Sequence, residues 1–543
     1  MNQLQPIFIL PEDTKRTQGR EAQRNNIMAA KAVAETVRTT LGPKGMDKMI
    51  VDSIGDITIT NDGVTILEQM KIEHPAAKMI VEIAKTQEKE IGDGTTTAVV
   101  LAGEFLKNAE ELIDKGIHPA VIARGFRLAS IKANEILEEM AEKITEKDEK
   151  LLMQIAETAM TGKGSETSKL VLSRVVLDAI RKVMEKSGDS ILIDKSNIKV
   201  EKKNGGSIED TRLIEGIVLD KERVHVQMPK KIQKARILLI DSALEIKDTQ
   251  TKAKIKIRNP SELQTFLDQE EKILRDMADK IVESGANVVF CQKGIDDIVQ
   301  HFLAKNKIFA ARRVSEKDMA SLSRSTGASI VSNVASISTK ELGEAKLVEE
   351  MKVGDDEMTF ISGCKNPKSV TILVKGSTEH VVDEVKRAVE DAIGDLSTAL
   401  VDGKIVAGAG SCEIELSRQL RKFSESLNGR EQFAVEAFAK SMEIIPKTLA
   451  ENAGIDPIDT LTDLRSAHDK KQKWAGIDVF TGKVMDAWKR GVIEPLRLKT
   501  QAIDSAAEVA MLVLRIDDVV AGSKSGAPQM PQGMNMQGMP GMM

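Results

Sequence analysis

The apolar spacing of this chain changes character twice, and that double change constrains its architecture more than any single motif. Up to about Lys143, apolar residues recur at helical intervals, as in Ile27, Ala30, Ala34, Val37 and Leu41, and again in Met79, Ile80, Ile83 and Ala84. Between roughly Leu219 and Pro367, short apolar runs such as Ile237-Leu238-Leu239-Ile240 and Asn287-Val288-Val289-Phe290-Cys291 alternate with helical segments such as Ile295 to Lys305, the pattern of an α/β module. After Thr378 the helical spacing returns in Val382, Val385, Val389, Ala392, Ile393 and Leu396, and it continues to about Ala521. A chain that leaves one domain, builds another and comes back has an insertion architecture, whose two connecting segments are natural hinges. Its 543 residues exceed what one ordinary core holds, so several domains are expected.

Composition removes some classes of function. Lys plus Arg total 78 against 83 Asp plus Glu, a net charge of -5, which gives no general electrostatic reason to bind nucleic acid or anionic membrane. Aromatics are 3% and tyrosine is absent, so the stacking platforms of single-strand binders are poorly supplied. Cys291, Cys364 and Cys412 are widely spaced and odd in number, which suits neither a disulfide framework nor a zinc site and points to a reducing compartment. Glu12 and Asp13 come early, and no apolar run approaches membrane-spanning length, so a cytosolic protein is expected.

Local signals mark the elements. Gly42-Pro43 stops the first helix, and Met49-Ile50-Val51 and Ile57-Thr58-Ile59-Thr60 read as short strands about Gly55-Asp56, which leaves Asp62 at a strand end. Pro75 opens a further helix that Gly92 ends. The stretch Gly92-Asp93-Gly94-Thr95-Thr96-Thr97 then runs into the apolar residues Ala98, Val99 and Val100. Two readings account for it: a cradle in which glycines, free N–H groups and hydroxyls meet phosphate while Asp93 holds a cation, or a glycine turn with a threonine N-cap. Asp62 and Asp93, taken singly, read as turn-formers, and Lys163 between Gly162 and Gly164 reads as an exposed lysine or a phosphate contact. Asp391 lies off the apolar stripe of its helix and by pattern alone reads as a solvated charge. Neither Gly162-Lys163-Gly164 nor Gly408-Ala409-Gly410 has the spacing of a P-loop or a dinucleotide fingerprint. The segment Glu245 to Glu262, with Lys247, Lys252, Lys254, Lys256 and Arg258, reads as a projecting arm, and Gly522 to Met543 reads as disordered.

Several longer motifs, in order, carry a resemblance. Thr39-Thr40-Leu41-Gly42-Pro43-Lys44-Gly45-Met46-Asp47-Lys48-Met49, Thr60-Asn61-Asp62-Gly63, Glu73-His74-Pro75-Ala76-Ala77-Lys78-Met79, the Gly92 stretch, Ala450-Glu451-Asn452-Ala453-Gly454, Gly491-Val492-Ile493-Glu494-Pro495 and Lys499-Thr500-Gln501-Ala502-Ile503 together resemble group II chaperonins of the archaeal thermosome kind, over nearly the whole chain. The resemblance implies a multidomain α and α/β fold: a largely helical equatorial ATPase domain from residues 1–147 and 405–543, a hinged intermediate domain from 148–218 and 369–404, and an inserted α/β apical domain over 219–368 whose helical protrusion, about 245–269, is a built-in lid. It implies ATP and Mg²⁺ as cofactors, with Leu41, Gly42 and Pro43 lining the nucleotide, Asp93 holding Mg²⁺, and Gly94, Thr95, Thr96 and Thr97 cradling phosphate. Gly162 and Lys163 would approach the phosphates, Gly410, Glu494 and Lys499 would lie around the nucleoside, and Asp62 and Asp391 would position the attacking water. Implied partners are non-native proteins and self or paralogous subunits in two stacked rings, with neither nucleic acid nor membrane. Ala409 departs from the family's three consecutive glycines, and its methyl is expected to tighten or shift the nucleoside pocket. Two other classes stay open at this point: an ATP-hydrolysing enzyme acting on a small molecule, and a holding chaperone with weak turnover.

Overall fold

The computed structural model describes residues 14–163, 168–188, 190–246, 260–334, 337–353, 356–364 and 369–522. Most of the expected arm, residues 247–259, and the expected disordered tail, 523–543, lie outside the described residues.

The largest core is helical and draws on both ends of the chain. Its centre is the helix Thr95–Asp114, apolar nearly all round, with Ala98, Val99, Leu101, Phe105, Leu106 and Ala109 buried. Such a helix is stable only when other helices enclose it. Gly19–Arg38, Pro75–Glu90 and Pro119–Met140 supply the early partners, and Glu431–Met442 and Leu496–Leu514 the late ones. Phe105 and Phe438 stack with ring centroids 4.2 Å apart and Phe126 meets each at 5.6 Å, so residues more than three hundred positions apart share one aromatic centre. Burying each such ring contributes on the order of 2 kcal/mol, more than any one surface contact.

The chain ends are tied together. Strand Thr14–Gln18 pairs antiparallel with Asp518–Gly522, with Arg16 bonded to Asp518 across the pair. The helical spacing expected to run to Ala521 therefore stops at Leu514. The charged Arg515, Asp517 and Asp518 interrupt it, and Val519 and Val520 are β-branched residues suited to a strand. The hairpin Lys48–Val51 with Ile57–Thr60 forms as expected.

A second core sits where the chain leaves and re-enters. The helices Glu149–Met160 and Lys169–Val183 precede the α/β module, and Glu379–Asp402 follows it. A sheet completes this core: Val370–Gly376 lies centrally, parallel to Ile198–Asn204 and antiparallel to Arg212–Ile214. Beyond lies a seven-stranded mixed sheet in the spatial order Phe309–Ala311, Val288–Cys291, Lys231–Ile240, Gly343–Val353, Asp356–Cys364 and Gly216–Leu219, with Ile330–Val331 also pairing Lys231–Ile240. Pro260–Glu283 and Asp297–Lys305 cover one face and Glu316–Thr326 the other. The helix Pro260–Glu283 is anchored by Leu274, Ala278 and Ile281, whereas the stretch from Leu267 to Ile273 is exposed and stands clear of the core. No helix among the described residues is long and apolar enough to cross a membrane, and the three cysteines are free.

Candidate active site

One cavity of about 430 Å³ lies between the helical core and the second core, and its lining gathers motifs from across the sequence. Leu41, Gly42, Pro43, Asp62, Asp93, Gly94, Thr95, Thr96, Thr97, Gly162, Lys163, Gly410, Glu494 and Lys499 all line it. Asp391 does not, but it reaches the cavity through Lys163.

The cradle follows from Gly94. This residue is the N-cap of Thr95–Asp114 with a left-handed φ of 78°, and no side chain caps the helix. Thr95 is the first helical residue, so the threonine-cap alternative does not apply. The leading N–H groups and the positive end of the dipole therefore face the cavity. Close backbone approach explains two more glycines. A Cβ on Gly42 (φ 83°) would come 2.3 Å from Leu449 Cδ2, and one on Gly162 (φ 84°) would come 3.0 Å from Pro43 Cα. Amides that the sequence did not single out hold these loops: Asn61 Nδ2 donates to the Gly162 carbonyl at 2.8 Å, Asn452 Nδ2 to that of Leu41 at 2.9 Å, and Gln87 Nε2 to that of Asp93 at 2.9 Å. Asn452 lies within the Ala450 to Gly454 motif; Gln87 carried no signal beyond its helix.

Asp62 keeps its turn-forming role while lining the cavity. It caps the helix Gly63–Gln69, with Oδ2 accepting from the Thr65 amide at 2.8 Å and the Thr65 hydroxyl at 2.6 Å.

Asp391 and Lys163 correct their pattern-based readings. The Asp391 side chain is 15% exposed, because its helix packs a second face against the loop at Ile91 to Asp93 rather than against water. Gly394 permits that approach: a Cβ there would lie 2.2 Å from the Ile91 carbonyl oxygen and 3.5 Å from Gly92 Cα. Lys163 Nζ sits 2.5 Å from Asp391 Oδ2 and 3.2 Å from Asp93 Oδ1. Burial opposes the Lys163 charge, but Asp391 and Asp93 outweigh it and raise its pKa. Burial pushes the Asp391 carboxyl well above the usual range, and Lys163 only partly offsets this.

Two further carboxylates belong to this cluster. Asp395, one turn on from Asp391, is buried, and its Oδ1 has no hydrogen-bond partner. Burial first, then Asp93, pushes its pKa well up. The i, i+4 spacing from Asp391 was the available signal. Glu88 keeps solvent contact at its rim while protein packs around it; that desolvation, then Asp62 and Asp93, push its carboxyl up to about 7.

At the other end Lys499 Nζ lies 2.9 Å from Glu413 Oε1 and 2.6 Å from Glu494 Oε2. Gly408 makes room there, since a Cβ would fall 2.5 Å from Glu494 Oε1 and displace that carboxylate. Ala409 adopts φ 57°, a left-handed conformation that costs a non-glycine residue about 1 kcal/mol. Its methyl lies against Gly476, where a Cβ would come within 3.0 Å of it. The opposite wall comprises Ile477, Asp478, Val479, Phe480 and Met485, none of which the sequence singled out.

The donor set suits a polyphosphate with a hard cation. Carboxyls of Asp62, Glu88, Asp93, Asp391 and Asp395 crowd about the single amine of Lys163, their crowding and burial opposing ionisation until a cation joins them, and an uncapped helix faces the same space. Among the described residues no group of three or more His, Cys, Asp or Glu could hold a metal unaided. Mg²⁺ commonly takes one or two carboxylates and completes its shell with phosphate and water.

Comparison with known proteins matches this architecture. A model of the TCP-1/cpn60 chaperonin family matches residues 33–524. The chain is 58% identical over 538 residues to thermosome subunit beta of Archaeoglobus fulgidus, covering 97% of this chain and 99% of that one. It is 59% identical over 515 residues to the thermosome subunit of Methanopyrus kandleri, covering 95% and 94% respectively. Among solved structures, the open-state monomer of a group II chaperonin from Methanococcoides burtonii aligns with a TM-score of 0.61 at 47% identity, covering 78% of this chain and all of that one. A divided helical core, an inserted α/β module and a family match across both leave one assignment: the chain belongs to the TCP-1/cpn60 chaperonin family.

Proposed function

We propose that the cavity binds ATP with Mg²⁺ and that its hydrolysis is completed by the carboxylate delivered from the helix Glu379–Asp402. The protein is an ATP-dependent group II chaperonin subunit; the proposal concerns which residues perform each part. Bound Mg·ATP supplies the scissile phosphoanhydride and a cation that neutralises its charge. Asp93 is the metal ligand, and the N–H groups and hydroxyls of Gly94 to Thr97 receive phosphate oxygens. Leu41, Gly42 and Pro43 form the floor, Gly162 and Lys163 approach from the second core, and Gly410, Glu494 and Lys499 surround the nucleoside end. Asp62 and Asp391 orient water for in-line attack, a task needing position more than covalent chemistry.

The observation that carries this reading is the Lys163 bridge between Asp93 and Asp391. It joins the carboxylate at the uncapped helix to one on a separate core, so hydrolysis depends on how the two cores meet. Residues 1–147 with 405–543 are the equatorial part, 148–218 with 369–404 the intermediate hinge, and 219–368 the apical part that holds non-native protein. The segment about 245–269 acts as the lid, and subunits of this chain or its paralogues form two stacked rings. Asp391→Ala should lower kcat by about a hundredfold or more with nucleotide Kd within about threefold, whereas Asp93→Ala should weaken Mg²⁺-dependent binding as well. Calorimetry with ADP and Mg²⁺ beside steady-state hydrolysis separates the two, and equal loss of binding in both variants would contradict the roles.

A further inference from the structure

A buried histidine–carboxylate pair with no part in the chemistry above braces the cavity's far wall. His468, near the end of the helix Pro457–Asp469, is fully buried. Its Nδ1 lies 2.8 Å from Glu415 Oε2, and its Nε2 lies 2.9 Å from the Ala475 carbonyl oxygen. Both partners are acceptors, so the ring bridges the Glu415 carboxylate and the Ala475 carbonyl through its two nitrogens. Glu415 is occupied on each oxygen: Oε2 also takes Arg418 Nε at 3.1 Å, and Oε1 takes Gln419 Nε2 at 2.8 Å. A buried pair with its hydrogen bonds made favours one geometry, and losing either half leaves a buried polar group of the other without its partner.

That geometry ties together the two sides of the nucleoside end. Glu415 stands little more than one turn into the helix Ser411–Glu425, which begins at the cavity residue Gly410. Ala475 opens the strand Ala475–Asp478, and Ile477 and Asp478 line the cavity. The Ile477 amide donates to the Ala409 carbonyl at 3.0 Å. Alongside, Trp474 stacks on Trp488 with centroids 5.5 Å apart, and the Ala487 amide donates to the Trp474 carbonyl at 2.9 Å, which extends the tie to the strand Lys483–Asp486 carrying Met485. Neither His468 nor Glu415 lines the cavity.

We infer that His468 and Glu415 are a positioning couple that sets the spacing between the 408–410 loop and the 475–480 wall, and so governs how tightly the nucleoside is gripped rather than how fast phosphate is transferred. This rests on the nucleotide reading of the cavity. It also gives two tryptophans, the sequence's full complement, a reporting position on the wall.

The test uses the assembled full-length chain with ATP and Mg²⁺, and compares His468→Gln, Glu415→Gln, their double variant and the charge-retaining Glu415→Asp. Each single variant should raise KM for ATP by about tenfold, the size of one lost charged hydrogen bond. Turnover at saturation should stay within about twofold. Tryptophan emission of the ligand-free folded variants should shift, and the double variant should be no weaker than the worse single one. Glu415→Asp, which only withdraws the carboxylate by a methylene, carries the test if His468→Gln does not assemble. An assembled variant with unchanged KM and emission, or with kcat lost at constant KM, overturns the inference. Absence of saturable nucleotide binding by the unaltered chain instead overturns the nucleotide reading, and this inference with it.

Discussion

Single residues here trade conformational freedom against contact. Ala409 is the clearest case: it holds a left-handed backbone that glycine adopts without penalty, and its methyl packs on Gly476. Ala409→Gly should therefore raise stability by about 0.5–1 kcal/mol, relief of strain outweighing the added freedom of the unfolded chain. A denaturant midpoint that falls would show the methyl's packing to be worth more than the strain. Glu415 gives a pH-dependent expectation. Burial acts to raise its carboxyl, but the hydrogen bonds from His468, Arg418 and Gln419 prevail and hold it at about 2. A depressed carboxylate stabilises the fold above its unfolded value of about 4.3, and that contribution disappears as pH falls toward 2. The stability gap between the unaltered chain and Glu415→Gln should be on the order of 2 kcal/mol at pH 6, allowing for solvent screening on the Arg418 side, and should shrink steadily below pH 4. Urea titrations at pH 6 and pH 3 measure it; a constant gap would mean the ion pair is not its source.

Among the elements, the helix Glu379–Asp402 shows what a sequence reveals and what it withholds. Its apolar stripe was legible at Val382, Val385, Val389 and Leu396, all buried as expected. Its second face was not, because Gly394 on that face meets a loop about three hundred residues away, with Asp391 and Asp395 beside it, and no periodicity encodes a partner that distant. The site divides in the same way. Gly92 to Thr97 was readable as a cradle or a capped turn because glycines and hydroxyls form local punctuation, whereas Gly42-Pro43 read locally only as a helix stop, and the longer motifs supplied its place in the site, with the rest, by resemblance. The wall from Ile477 to Phe480 is ordinary strand and turn sequence, made part of a cavity only by tertiary packing. Gly394 offers the element's own test. Gly394→Val would drive a side chain into the Ile91 carbonyl, separating Asp391 from the cradle. Hydrolysis should fall at least about tenfold, with a stability loss of about 1–3 kcal/mol. Unaltered turnover in a folded variant would mean that this contact does not deliver Asp391.

At the scale of the molecule, the lid assignment makes a further expectation. Among the described residues, the helix Pro260–Glu283 has its buried anchors at Leu274, Ala278 and Ile281, and Leu244 is held by its bridge to Ile295, so replacing residues 247–269 with a short Gly/Ser linker leaves these anchors in place. ATP hydrolysis should persist, since the cavity is built from distant segments. Protection of a captured unfolded substrate from protease, in the presence of ATP and in rings verified by sizing, should be lost. Protection that survives the deletion would show that another segment closes the chamber. The joined chain ends, Thr14–Gln18 on Asp518–Gly522, bear on how the molecule is made. The helix Thr95–Asp114 leaves the ribosome more than three hundred residues ahead of two of its enclosing partners, Glu431–Met442 and Leu496–Leu514. At about 5–20 residues per second, the nascent α/β module can finish folding while that apolar helix waits tens of seconds for cover. This protein therefore passes through its own synthesis as an aggregation-prone, half-built chain.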